Sequence, residues 1–410
     1  MNPILPNKYH IPDAEARQWK DGRIYIYGSM DISGDSFYCS KEYRVFSSSD
    51  LENWTDHGTS LKEDMVLFAP DCIFKDGRYW LYYCRMDGYE GVAVSDVPEG
   101  PFEDSQPVTP ADGDAIDPAA FVDDDGQAYY FWGQFNLRGG KLSSDMKTVT
   151  DVNESLLNEK DHGFHEGACI RKREGIYYMV FTDTSRGKAT SLGYATANSP
   201  LGPYTKRGII IDNDGCDKET WNNHGSIAEF NGDWFVFYHR SSQGSKYSRR
   251  ACIEPISFLP DGTILEVEMT TQGVSEPLDA FKPIDAWRAC LLNGNIQTEQ
   301  LQIDNNLSEY LTFIENGNWA CYKYLDFGTG ATGFSVIAAS FCKEGNIKVR
   351  IDSPEGDVIG TLKITDTGGW HNWQEFFGQI KKTKGVHALY LEFESWPGKM
   401  FNFKEFKFNI

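Results

Sequence analysis

At 410 residues the chain is long for one typical domain and comfortable for two, so a boundary is expected within it. Its formal net charge of −21, from 60 acidic against 39 basic residues, repels phosphate backbones and anionic lipid surfaces and argues against nucleic acid or membrane as a partner. Aromatic residues make up 14% of the chain, a share that suits strand-rich cores and also the ring faces on which sugars stack.

The first residues, Met1-Asn2-Pro3-Ile4-Leu5-Pro6, carry no basic segment followed by an apolar run, and no stretch of about 18 apolar residues occurs anywhere. The nine cysteines are scattered and never spaced C-x-x-C, which suits free buried thiols better than a disulfide framework or a zinc site. A cytoplasmic location is the resulting expectation.

Proceeding along the chain, one small motif recurs five times: an acidic residue or Asn, then Gly, then one residue, then an alternating aromatic run. It reads Asp21-Gly22-Arg23-Ile24-Tyr25, Asp76-Gly77-Arg78-Tyr79-Trp80, Asp125-Gly126-Gln127-Ala128-Tyr129, Glu174-Gly175-Ile176-Tyr177-Tyr178 and Asn231-Gly232-Asp233-Trp234-Phe235. The glycines lie 55, 49, 49 and 57 residues apart. Asp-Gly ahead of a period-2 apolar run marks a tight hairpin feeding a half-buried strand. Repetition at about 50 residues points to propeller blades, because one small sheet cannot bury both faces until neighbours stack on it. The expected fold is all-β: a five-bladed β-propeller over residues 1–275, a linker at 276–284, and a β-sandwich of jelly-roll type over 285–410. A single large β-sandwich is the competing reading.

A propeller brings the innermost strand of each blade to a central channel, so acids just upstream of the hairpins converge there. Asp13 in Ile11-Pro12-Asp13-Ala14 precedes the first repeat, Asp117 in Ile116-Asp117-Pro118 the third, and Glu166 in Phe164-His165-Glu166-Gly167 the fourth. Glycoside hydrolysis needs one carboxylic acid to protonate the leaving oxygen and one carboxylate to activate water or attack, with pKa values pushed apart. The plainer alternative is that such acids cap turns.

These motifs, with Phe68-Ala69-Pro70-Asp71 and Asn223-His224-Gly225-Ser226, resemble glycoside hydrolase family 43, whose propeller enzymes act on arabinose- and xylose-containing glycans. The resemblance implies an inverting enzyme with Asp13 as general base, Glu166 as general acid and Asp117 orienting the acid and raising its pKa. It also implies that Phe68, Ile116 and Arg249 contact substrate, Arg250 being alignable with a one-residue slip. His224 corresponds to a channel histidine that contacts a hydrated, structural calcium ion, although calcium itself prefers oxygen ligands. Ala14 and Ala168 depart from that pattern, where Pro is common.

Beyond the linker, Gly317-Asn318-Trp319-Ala320-Cys321-Tyr322 and Thr367-Gly368-Gly369-Trp370 resemble carbohydrate-binding module family 6, which implies that Tyr322 and Trp370 sandwich a sugar and Asn402 hydrogen-bonds it. The same residues can instead be covered by packing against the propeller. The expected activity is an exo-acting α-L-arabinofuranosidase on arabinoxylan or arabinan oligosaccharides, with β-xylosidase and a non-catalytic sugar-binding propeller as the alternatives.

Overall fold

The computed structural model describes residues 1–109 and 115–410. Five antiparallel sheets, spanning 15–62, 67–107, 119–158, 164–212 and 226–256, form the blades; the first four have four strands and the fifth three. The recurrent Gly motif is the turn from each innermost strand to the next. Asp76-Gly77, Glu174-Gly175 and Asn231-Gly232 have positive φ at both residues, between 50° and 94°, and join strands directly as two-residue turns. Their backbone twist matches that of the flanking strands. Gly22 and Gly126 instead end three-residue loops closed by Trp19 with Arg23 and by Asp123 with Gln127.

The innermost strands are Glu15–Gln18, Leu67–Lys75, Ala119–Val122, Phe164–Arg173 and Ser226–Phe230. Ala14 and Gly225 pair in parallel, so the first and last of these strands run side by side and close the ring. Residues 2–4 run along the edge of the fifth blade, where Ile4 N–H donates to Ala251 O at 3.0 Å and the Asn2 amide both donates to and accepts from Ile253 at 2.9 Å. Around the channel, Arg17 of the first blade donates to Asp71 of the second and to Ala120 O of the third, each at 2.9 Å. Asp71, singled out in the sequence, is therefore a clamp between blades. Between blades, Ile26, Phe237, Tyr83, Val236 and Phe181 are fully buried.

Residues beyond the propeller form a curled sandwich of two antiparallel sheets that meet at one pair, Gly360 with Ile380. Its core holds Leu325, Phe334, Leu391, Phe393 and Phe406. The stretch 276–284 differs from a free linker: Leu278–Asp279 pairs in parallel with Leu325–Asp326, and Ala280 is fully buried. An apolar cluster containing Cys216, Met269, Cys290, Cys321 and Tyr390 spans both domains. All nine cysteines are free and eight are buried. Among the described residues no helix is long and apolar enough to cross a membrane.

Candidate active site

Asp13 and Asp117 each stand two residues before an innermost strand, and both take the left-handed backbone, with φ of 57° and 53°. Asp is one of the few residues that adopts this conformation at modest cost, and such positions concentrate at functional sites. Glu166 is the third residue of Phe164–Arg173, next to a break in the ladder between Glu166 and Cys169. Gly167 makes the break possible: its φ is 69°, and a Cβ there would lie 2.8 Å from the His224 ring. The strand carrying Glu166 and the turn carrying His224 thus approach more closely than any side chain permits.

These residues line one end of the channel around a cavity of about 200 Å³, together with Phe68, Ile116 and Arg249. That is the space of roughly seven waters, room for a single small sugar residue. Ser29 donates to Asp13 Oδ2 at 2.7 Å and Arg249 Nη1 to Asp13 Oδ1 at 3.1 Å. Burial pushes the Asp13 carboxyl up, but its neighbours, above all the Arg249 guanidinium, outweigh this and hold it below the usual carboxylate range. Asp117 is the opposite case. Burial, then repulsion from Glu166, Asp13 and Glu90, raises its pKa well above the ordinary value. Gln134 Nε2 donates to Glu166 Oε2 at 2.7 Å and fixes that carboxyl at the cavity wall.

His224 Nδ1 sits 3.7 Å from Asp13 Oδ1 and 3.9 Å from Asp117 Oδ2. Burial lowers the His224 pKa despite the nearby acids, and that of His239, 3.6 Å from Asp13 Oδ1, falls to about 3. Both imidazoles are therefore neutral near pH 7.

Asp13, Phe68, Ile116, Asp117, Glu166, His224 and Arg249 all line this cavity, and strand alternation separates the two candidate arginines. Arg249 points inward, with Nη2 and Nε each donating to Asp31 at 2.9 Å. Arg250 points away and donates to both oxygens of Glu309 in the second domain at 2.9 Å. The sequence reading missed Asp31, Tyr38, Gln134, His165, Trp221 and His239. His165 lies inside the Glu166 motif, Trp221 two residues before the Asn223 motif and Gln134 five residues after the third hairpin motif, so extending the motifs could have found them; Asp31 and Tyr38 sit in a segment with no repeat signal.

In the second domain the structure departs from the expected sugar sandwich. Tyr322 is fully buried, donates to Ala286 O at 2.8 Å and packs on Phe406, so it is a core residue and offers no face to a ligand. Asn402 is also fully buried: its amide donates to Trp370 O at 2.7 Å and accepts from Thr312 at 2.8 Å, which leaves it a structural strut. Trp370 is half-buried and carries the Lys399 ammonium 4.6 Å from its ring centre, the same ammonium lying 5.3 Å from Phe313.

For calcium, no group of three or more His, Cys, Asp or Glu side chains is spaced to hold a metal among the described residues. A fully protein-ligated calcium, which takes six to eight oxygens, does not fit. A hydrated ion does: beside His224 the buried Asn222 Oδ1 and His239 Nδ1 have no hydrogen-bond partner and can receive ordered water.

A five-bladed propeller with three carboxyls around a one-residue cavity, the pKa values of Asp13 and Asp117 driven in opposite directions, defines the class, a glycosidase of the carboxylate-pair type. Residues 1–264 match the family Glycosyl hydrolases family 43, and the chain belongs to it; residues 293–410 match the family Carbohydrate binding module (family 6). A xylosidase/arabinosidase of Thermoclostridium stercorarium is 30% identical, with 96% of each chain covered. The crystal structure of a glycoside hydrolase family 43 arabinoxylan arabinofuranohydrolase from Bacillus subtilis in complex with cellotetraose is similar along 100% of this chain and 97% of that one, with a TM-score of 0.59 and 28% identity. The structure of CoXyl43, a family 43 β-xylosidase/α-arabinofuranosidase from a compost metagenome in complex with xylotriose in calcium-free form, covers 65% of this chain and 97% of its own, with a TM-score of 0.58 and 32% identity.

Proposed function

We propose that the protein is an inverting, exo-acting α-L-arabinofuranosidase that removes arabinose side chains from arabinoxylan or arabinan oligosaccharides. The observation that carries this reading is the cavity sized for one sugar, in which Arg249 holds the Asp13 pKa down while burial and like charge push that of Asp117 up. The name of the Bacillus relative supports arabinose as the sugar, and that of the Thermoclostridium relative covers both sugars.

In this mechanism Asp13 accepts a proton from a water as that water attacks the anomeric carbon, and Glu166 delivers a proton to the departing oxygen. Arg249 and Ser29 fix the Asp13 carboxylate, and Gln134 fixes Glu166. Asp117 orients Glu166, and repulsion between the two carboxyls keeps one proton on the pair for the leaving oxygen. A hydrated calcium held through water by His224, Asn222 and His239 would supply positive charge near the carboxylates. The nine unpaired cysteines support action in a reducing compartment, on fragments already taken up by the cell.

Release of 4-nitrophenol from the aryl α-L-arabinofuranoside and the aryl β-D-xyloside tests the assignment. The arabinoside is expected to be the better substrate, and Glu166→Ala to lose at least about a hundredfold in kcat on it. Preference for the xyloside overturns the choice of sugar, and indifference to Glu166→Ala overturns the catalytic reading.

A further inference from the structure

The seam between the propeller and the sandwich holds a second, much smaller cavity of about 20 Å³, walled by Pro3 and Cys216 on one side and by Trp287 and Leu292 on the other. That is the space of one water or one monatomic ion. Arg240 and Arg250 also line it. They are direct cross-strand partners in the fifth blade, so both side chains leave the sheet on the same face. Like charges placed opposite each other destabilise a sheet, and each of these is only 3% exposed.

The two guanidinium groups are tied in the same way. Arg240 donates through Nε and Nη2 to the Tyr238 hydroxyl, at 3.0 and 2.6 Å, and through Nη2 to Thr270 O at 2.7 Å. Arg250 donates through Nε to Ser242 Oγ at 3.3 Å and through Nη2 to both Glu309 oxygens at 2.9 Å. In both, Nη1 is left without a hydrogen-bond partner among the described residues. A buried cationic donor is costly to leave in that condition.

The surrounding acids offset the charge only in part. Glu309 balances Arg250. Glu254, 3.5 Å from Arg240 Nη2, is pushed up by burial to about 7 and is only partly ionised near pH 7. Asp217, the other acid on the cavity wall, turns its oxygens to the N–H groups of Glu219 and Gly244, each at 2.9 Å.

We propose that Arg240 and Arg250 hold a single halide ion, chloride, between their Nη1 groups, and that this ion fastens the sandwich to the propeller. The free groups are donors on fixed positive charges, which excludes a cation, and the space excludes phosphate, sulfate and carboxylates. A water would satisfy the donors but leave two like charges facing each other. The site is separate from the catalytic cavity and does not depend on which sugar is released.

The test is unfolding of the whole chain in urea, which brings no halide of its own, as chloride or bromide replaces gluconate at constant ionic strength. Either halide is expected to raise the midpoint saturably, by roughly 0.5 M urea. Arg240→Gln removes one donor, and Ala289→Val fills the space while both arginines stay; each is expected to abolish the response. Crystals of the parent protein grown in bromide are expected to show anomalous scattering within hydrogen-bond reach of both Nη1 atoms. A midpoint indifferent to halide, a response that persists in both variants, or bromide crystals without that peak overturn the proposal and leave the cavity to water. The bromide measurement decides even if a variant fails to fold.

Discussion

The propeller and the sandwich each carry polar and aromatic residues in family-like patterns, but they dispose of them differently. In the propeller, Asp13, Asp117 and Glu166 come from three blades and face a cavity, with the Asp13 and Asp117 pKa values driven apart by Arg249 and by burial. In the sandwich, Tyr322 and Asn402 turn inward, hydrogen-bonded and fully covered, and Lys399 lies over the half-open ring of Trp370. A radial ring of strands keeps its central ends empty because five strands cannot fill the axis, whereas two facing sheets close on whatever they share. Shared pattern therefore predicts chemistry in the first domain and packing in the second.

The contrast breaks most sharply at the seam. Arg250 and Glu309 form a buried pair between the domains, each 3% exposed. Arg250→Ala strands the Glu309 charge and is expected to destabilise the protein by about 3–5 kcal/mol, read by denaturant unfolding, whereas replacing both residues with Met costs far less. Equal losses would mean that the sandwich does not depend on this pair.

Within the propeller, Gly167→Ala places a methyl against the His224 ring on a left-handed backbone. Displacement of Glu166 by even about 1 Å is expected to lower kcat roughly a hundredfold. A variant with parental kcat would show that the close approach of the two strands is incidental.

The smallest effect is expected in the sandwich, where Lys399→Ala uncovers Trp370 and Phe313. Affinity electrophoresis on soluble xylan should then show binding about two- to fivefold tighter, the worth of one exposed cation–π contact, with loss on adding Trp370→Ala. Unchanged mobility would leave this domain as a packing partner only.

How much was legible in the sequence follows from the same contrast. The hairpin repeats expose the blade count because Gly22, Gly77, Gly126, Gly175 and Gly232 are demanded locally, by positive φ in a turn. Asp13, Asp117 and Glu166 were readable because the repeat fixes their place relative to those turns. Asp31 and Tyr38 were not, since only closure of the ring brings them to Arg249, and no local pattern encodes that contact. Tyr322 misled because its motif carries the identity of the side chain and not the packing on Phe406 that decides which way it faces.

One consequence follows from the closure of the ring. Asp13 belongs to the first blade, but its partner Arg249, 236 residues further on, and the edge that receives residues 2–4 lie in the fifth. During synthesis, which runs from the N-terminus, Asp13 thus leaves the ribosome well before the partner that fixes it. A product interrupted before about residue 249 therefore lacks the Arg249 wall of the cavity and the strand pairing that closes the ring.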